Sequence, residues 1–204
     1  MLFRSVDVNG DVAVDVLVVT AGGVSAFWNN GTGTFSTALL YSSASVVSLS
    51  ACDVDGDGFP EVFVFLNDAD VLFVLLKSSR TAPSVFTVSQ VFGSGSNYGL
   101  SGMCLDVNLD GWLDVFVIGA QQHFLLINNG SGSFADVSAA SGVLDVGVTS
   151  QLRVNASVDA ADVDNDGDVD VFVCDPGGTN KMYVNDDGMR SEEHTSELQS
   201  LAYL

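Results

Sequence analysis

Residues 53–66 read DVDGDGFPEVFVFL. Oxygen-bearing side chains stand at positions 1, 3, 5 and 9 of this stretch, glycine at position 6, and a run of Val and Phe follows. Three other segments repeat it: DVNGDVAVDVLVVT from Asp7, DVNLDGWLDVFVIG from Asp106 and DVDNDGDVDVFVCD from Asp162, with starts 46, 53 and 56 residues apart. Each has Asp at position 1, Asp or Asn at 3, Asp at 5 and an acid at 9. Random placement of these residue types gives the pattern roughly 0.2 times in such a chain. Four occurrences, each followed by the same alternating apolar run, mark an internal repeat.

Oxygens spaced in this way on a tightly curled loop suit a hard cation, and Ca²⁺ takes six to eight oxygens from carboxylates, amides, carbonyls and water. The expected ligands are the side chains of Asp7, Asn9, Asp11 and Asp15 with the carbonyl of Ala13 in the first loop. In the second they are Asp53, Asp55, Asp57 and Glu61 with the carbonyl of Phe59. The third offers Asp106, Asn108, Asp110 and Asp114 with Trp112, and the fourth Asp162, Asp164, Asp166 and Asp170 with Asp168. Only the backbone of position 7 is used, so its side chain is expected not to matter. An EF-hand would need a Glu at position 12 and flanking helices. Here position 12 is Val18, Val64, Val117 or Val173, inside a strand pattern.

Without a cation, carboxylates about 5 Å apart repel by about 3 kcal/mol per pair at an effective dielectric of 20. Calcium is therefore expected to be structural, with up to four ions, one per loop. The second and fourth loops offer four carboxylates, whereas the first and third have Asn at position 3. Loop one also carries Val12 where the others have Gly58, Gly111 and Gly167, and a β-branched residue at positive φ is costly. The expected order of affinity is fourth, second, third, first, with the fourth and second close.

A strand precedes each loop, a second leaves it, and a third ends on a turn such as NNGTGTF at Asn29 or NNGSGSF at Asn128. A fourth follows in STALLYS, VFTVSQV and ADVSAA. Four strands per unit of 40–60 residues predict an all-β chain of propeller blades, at about 1–45, 46–97, 98–149 and 150–189. The last is expected to stop before its fourth strand, giving about three and a half blades of a partial β-propeller. Residues 190–200, RSEEHTSELQS, resemble the in-frame translation of a sequencing adapter. Residues 190–204 are accordingly set apart from the fold as an artefactual tail.

The charge balance agrees with a cation-binding role. The 204 residues include 26 acids against 6 Lys and Arg, a formal net charge of −20. Nucleic-acid binding through a basic face is excluded, because phosphates are held by Lys and Arg. Residues 1–189 contain one Glu, Glu61, and are rich in Val, Phe and Gly, which favours strands over helices. No leader pattern and no membrane-length apolar run occur, and the chain is expected to be an internal segment cut at both ends.

The four DxDxDGxxD-type loops, with the hairpins KMYVNDDG and FLLINNGSGSF, resemble the FG-GAP/VCBS-repeat family over residues 1–189. That family includes the calcium-bearing blades of integrin α-chain propellers. Val12 and Leu109 depart from its glycines, and VFGSG at Val91 is the nearest match to its FG/GAP box. The resemblance implies a seven-bladed ring, calcium in the loops and extracellular recognition. The expected function is non-enzymatic, in adhesion or in binding a protein or glycan ligand at the cell surface or outside the cell. Its other expected partner is the remainder of its own ring, with no nucleic acid and no membrane span. The alternative is a propeller of a secreted polysaccharide-active enzyme, similar to some lyases.

Cys52, Cys104 and Cys174 share no obvious ladder and are expected to be buried free thiols. His123 is expected to be a half-exposed strand residue without a catalytic role, since no nucleophile elbow exists. Trp28 and Trp112 are expected to anchor blade packing, with a sugar-stacking platform as the alternative. Sequons occur at Asn30, Asn129 and Asn155.

Overall fold

The computed structural model describes residues 3–68, 71–79, 82–93, 99–120, 122–143, 157–174, 180–186 and 190–192. These form four antiparallel sheets, each of four strands in sequential order. Sheet one holds β1 (Phe3–Val6), β2 (Asp15–Thr20), β3 (Gly23–Asn29) and β4 (Phe35–Ser42). Sheet two holds β5 (Val46–Cys52), β6 (Glu61–Asp68), β7 (Val71–Ser79) and β8 (Ala82–Phe92). Sheet three holds β9 (Gly99–Leu105), β10 (Asp114–Gly119), β11 (His123–Asn128) and β12 (Phe134–Asp136). Sheet four holds β13 (Ser157–Ala161), β14 (Asp170–Cys174), β15 (Lys181–Asp186) and β16 (Arg190–Glu192). In each sheet the acidic loop joins the first strand to the second.

The second strands explain how the sheets stack. Side chains on a strand alternate between faces, and β6 sends Val62, Val64 and Leu66 into a core shared with sheet one. Its Phe63 and Phe65 enter the core shared with sheet three. In β10, Val115 and Val117 face sheet two while Phe116 and Ile118 face sheet four. These runs are thus apolar on both faces and not alternating as expected, because each strand is covered by a sheet on either side. The first strands stand next to one another, β1 by β5, β5 by β9 and β9 by β13. This is the blade arrangement of a partial β-propeller, with four sheets that do not close into a ring.

Four expectations need correcting. The fourth sheet is complete: Arg190–Glu192 pairs with β15 in the register Val184↔Glu192, Asn185↔Ser191 and Asp186↔Arg190. These residues belong to the segment set apart as a tail. An edge strand pairs through its main chain, which asks little of its side chains. Second, Cys52 and Cys104 form a disulfide with a Cα–Cα separation of 6.6 Å, within the usual range, while Cys174 is free. They share no ladder, but each lies at or near the end of the first strand of adjacent blades. Third, His123 is buried at 1% exposure, among Phe116 and Tyr183 at centroid distances of 5.8 and 6.1 Å. Fourth, β12 is only three residues long, because Ala140 and Ser141 donate back to the carbonyl of Val137 and turn the chain away.

Trp28 packs against the core of sheets one and two and stacks on Phe86 at 6.3 Å. Asn30 and Asn129 sit on exposed turns, whereas Asn155 lies outside the described residues.

Candidate metal centres

All four acidic loops have one geometry. The position 1 carboxylate accepts from the main chain across the loop: Asp7 from Gly10 and Val12 at 2.8 Å, and Asp53 from Gly58 at 2.8 Å. Asp106 accepts from Gly111 at 2.9 Å and Asp162 from Asn165 at 2.6 Å. The position 5 carboxylates Asp11, Asp57, Asp110 and Asp166 accept the N–H of position 7, at 2.8–2.9 Å. Tight curling forces positive φ at position 6, 72° at Val12 and 87°, 88° and 100° at Gly58, Gly111 and Gly167. Position 4 is also left-handed, at Gly10, Gly56, Leu109 and Asn165, which the sequence reading did not foresee.

Position 9 is the cornerstone. Asp15, Glu61, Asp114 and Asp170 are at most 2% exposed. One oxygen of each accepts the N–H of position 2: Val8 at 3.3 Å, Val54 at 3.0 Å, Val107 at 3.1 Å and Val163 at 2.8 Å. In loops one, three and four the other oxygen accepts the N–H closing the third strand, from Asn29, Asn128 and Asn185, each at 2.8 Å. The acid thus ties the loop to the second and third strands. Burial holds the carboxyls of Asp15, Glu61 and Asp114 above their usual range, Glu61 to about 7 and Asp114 to about 6. The main-chain donors oppose that rise, and the neighbouring loop aspartates add to it.

The loops differ in what faces their carboxylates. In loops one and three the position 3 amide turns inward, Asn9 donating to Asp11 and Asn108 to Asp110, both at 3.0 Å. In loop four, oxygens of Asp162, Asp164 and Asp170 lie within 4.8 Å of one another. Two oxygens each about 2.4 Å from one ion can be no further apart than that. The all-oxygen donor set and its spacing therefore fit calcium. In loop two, Asp53, Asp55 and Asp57 are similarly close. There the ammonium of Lys77 reaches in from β7 to touch Asp55, with Asp57 and Glu61 each at 3.5 Å.

Consecutive blades also bind each other at the loops. Asn128 donates its amide to the carbonyl of Val54 at 2.6 Å, and Asn185 donates to that of Val107 at 2.8 Å, so the third and fourth blades each grip the loop before them. The position 7 side chain has a role after all. A Cβ on Gly10 would stand 2.5 Å from the Phe59 ring, and one on Gly56 would stand 2.9 Å from Trp112. Phe59 and Trp112 thus lie on the preceding loop, and glycine lets them approach. Of the expected ligands, Asp53, Asp55 and Asp57 come together in loop two and Asp162, Asp164 and Asp170 in loop four, while Lys77 and the gripping asparagines escaped the sequence reading. The recurrence of Asn after the third strand, at Asn29, Asn128 and Asn185, was the available signal for the latter.

An FG-GAP-like repeat model matches residues 7–64 and 106–173, more than half the chain and all four loops. No curated protein matches by sequence. Among solved structures, the chain is similar to that of an Agrocybe aegerita lectin, described as showing specific recognition of non-reducing terminal N-acetylglucosamine. The similarity has a TM-score of 0.56 at 16% identity, over 93% of this chain and 50% of the lectin chain. The chain thus spans half the length of that structure, and the likeness concerns the fold.

Proposed function

The chain belongs to the FG-GAP-like repeat family, and on that premise we propose that it is a calcium-braced propeller segment serving non-enzymatic recognition outside the cell. The observation that carries this reading is the recurrence of one loop geometry four times, with a fitting oxygen cluster at Asp162, Asp164 and Asp170. When bound, calcium would supply positive charge at the hinge of each blade. The position 1, 3, 5 and 9 side chains would hold it, and the position 9 acid, bonded to the main chain of the loop and the strands, would pass that restraint on. A site at a hundred times its Kd adds about 2.7 kcal/mol to the native state, a large share of the ~5–15 kcal/mol of a typical domain.

Extracellular calcium modules bind at about 10⁻⁴–10⁻³ M, concentrations that the cytosol does not supply. The Cys52–Cys104 disulfide supports the same placement, since such bonds persist in oxidising compartments. The ligand class we propose is a protein or a glycan, and the likeness to a lectin fold makes glycans the first class to try. Burial of His123 in the core supports a non-enzymatic reading over the lyase-like one. The test is a binding screen of the chain against glycans, including N-acetylglucosamine-terminated ones, in calcium and in chelator. Calcium-dependent retention on a glycan or protein ligand is expected. Turnover of a polysaccharide would overturn the non-enzymatic assignment.

A further inference from the structure

Loop two has a feature that the other three lack. The position 10 residues Val16, Val62, Val115 and Val171 pair with Phe27, Leu76, Leu126 and Tyr183 on the third strands. The next residue along is Trp28, Lys77, Ile127 or Val184, so one blade in four places a lysine beside its loop. The ammonium touches Asp55 and stands 3.5 Å from both Asp57 and Glu61. Glu61 is 2% exposed, and its Oε1, which faces that ammonium, has no hydrogen-bond partner among the described residues. In the other loops the corresponding oxygen is satisfied by the N–H of Asn29, Asn128 or Asn185. A buried carboxylate oxygen without a hydrogen bond is costly unless a charge compensates it.

We propose that Lys77 is the resident cation of loop two: its ammonium fills the space between Asp55, Asp57 and Glu61 and excludes calcium from that loop. An ammonium is a compact point charge on a flexible stem, so it can enter a cage built for a metal ion. The chain then carries one loop that is braced without metal, and its calcium count is one below its number of loops. This inference rests on the calcium reading above, and it moves loop two from near the top of the expected affinity order to the bottom.

The test is calcium counting by calorimetry and equilibrium dialysis on the full 204-residue chain, titrated to about 10 mM, well above the range of extracellular modules. Two variants are compared with it. Lys77→Ile places the third repeat's residue in the second, and Lys77→Gln keeps a long polar chain should the first fail to fold. The expected result is one calcium more per chain in the variant than in the parent. That extra ion should disappear again when Asp55→Asn is added. In chelator the Lys77 variant should melt below the parent, and calcium should close the gap. Equal, non-zero counts in parent and variant would overturn this inference alone. So would loss of one ion when Asp55→Asn is made with Lys77 intact. No bound calcium in either protein would contradict the calcium reading itself and take this inference with it.

Discussion

Loops two and four have the same four-carboxylate formula, yet the protein treats them oppositely. Loop two is held from several sides by protein. The Cys52–Cys104 disulfide lies at its base, Lys77 fills it, Asn128 grips it and Trp112 lies on Gly56. Loop four has Val184 where loop two has Lys77, a free Cys174 in its second strand, and no fifth sheet among the described residues. Its Asp162, Asp164 and Asp166 are exposed. Four acids at fixed spacing therefore do not determine how a loop is stabilised. What the neighbouring strand and the following blade bring to it does.

The largest effect expected from this contrast is on the disulfide. The bond closes a separation of 52 residues, for which the chain-entropy estimate is about 4 kcal/mol. Cys52→Ser with Cys104→Ser should lower chemical-denaturation stability by that order while leaving calcium binding at loop four intact. If the loop four ion is lost as well, the two regions are not independent.

A smaller effect is a pH dependence of the covered loops in chelator. Burial holds Asp114 at about 6 against an ordinary 3.8, so the folded state keeps its proton more tightly than the unfolded chain. That contribution is fully present below pH ~4 and is lost as pH rises through about 6, by up to about 3 kcal/mol. Asp114→Asn should flatten that part of the profile. A parent profile that rises over the same range would contradict the assignment.

Ion removal separates loops two and four most cleanly. Asp164→Ala should cost one bound calcium and about 2.7 kcal/mol at a hundred times Kd, with no loss in chelator. Asp55→Ala should leave the count unchanged, as Lys77 occupies that loop. The smallest expected change is in loop one, where Val12 is 90% exposed at φ 72°. Val12→Gly should stabilise by about 1 kcal/mol, since a left-handed residue with a Cβ costs roughly that much. A thermal melt will show it.

Much of this was legible in the sequence because it is local. The spacing of Asp53, Asp55, Asp57 and Glu61 announces the loop, the strands follow from their runs of Val and Phe between turns, and the strain at Val12 follows from its place in the turn. What stayed hidden depends on neighbours distant along the chain. Cys52 and Cys104 meet only because first strands of adjacent blades stand together. His123 is buried because sheet four covers it, contributing Tyr183. Lys77 reads as one surface lysine among few until the β6–β7 register brings it over Glu61. The side chains of Phe59 and Trp112 acquire a role only once the preceding loop is in place beneath them.

The central claim is that the acidic loops hold calcium and that the ion stabilises the blades. Paired thermal melts of the whole chain in saturating calcium and in chelator, with bound metal measured on the same samples, test it most directly. One filled site worth about 2.7 kcal/mol corresponds to a rise of roughly 5–10 °C for a domain of this size. A saturable rise of at least that size, with calcium bound, is the predicted result. Superimposable melts with no calcium bound at about 10 mM, well above the affinity range of extracellular modules, would contradict it.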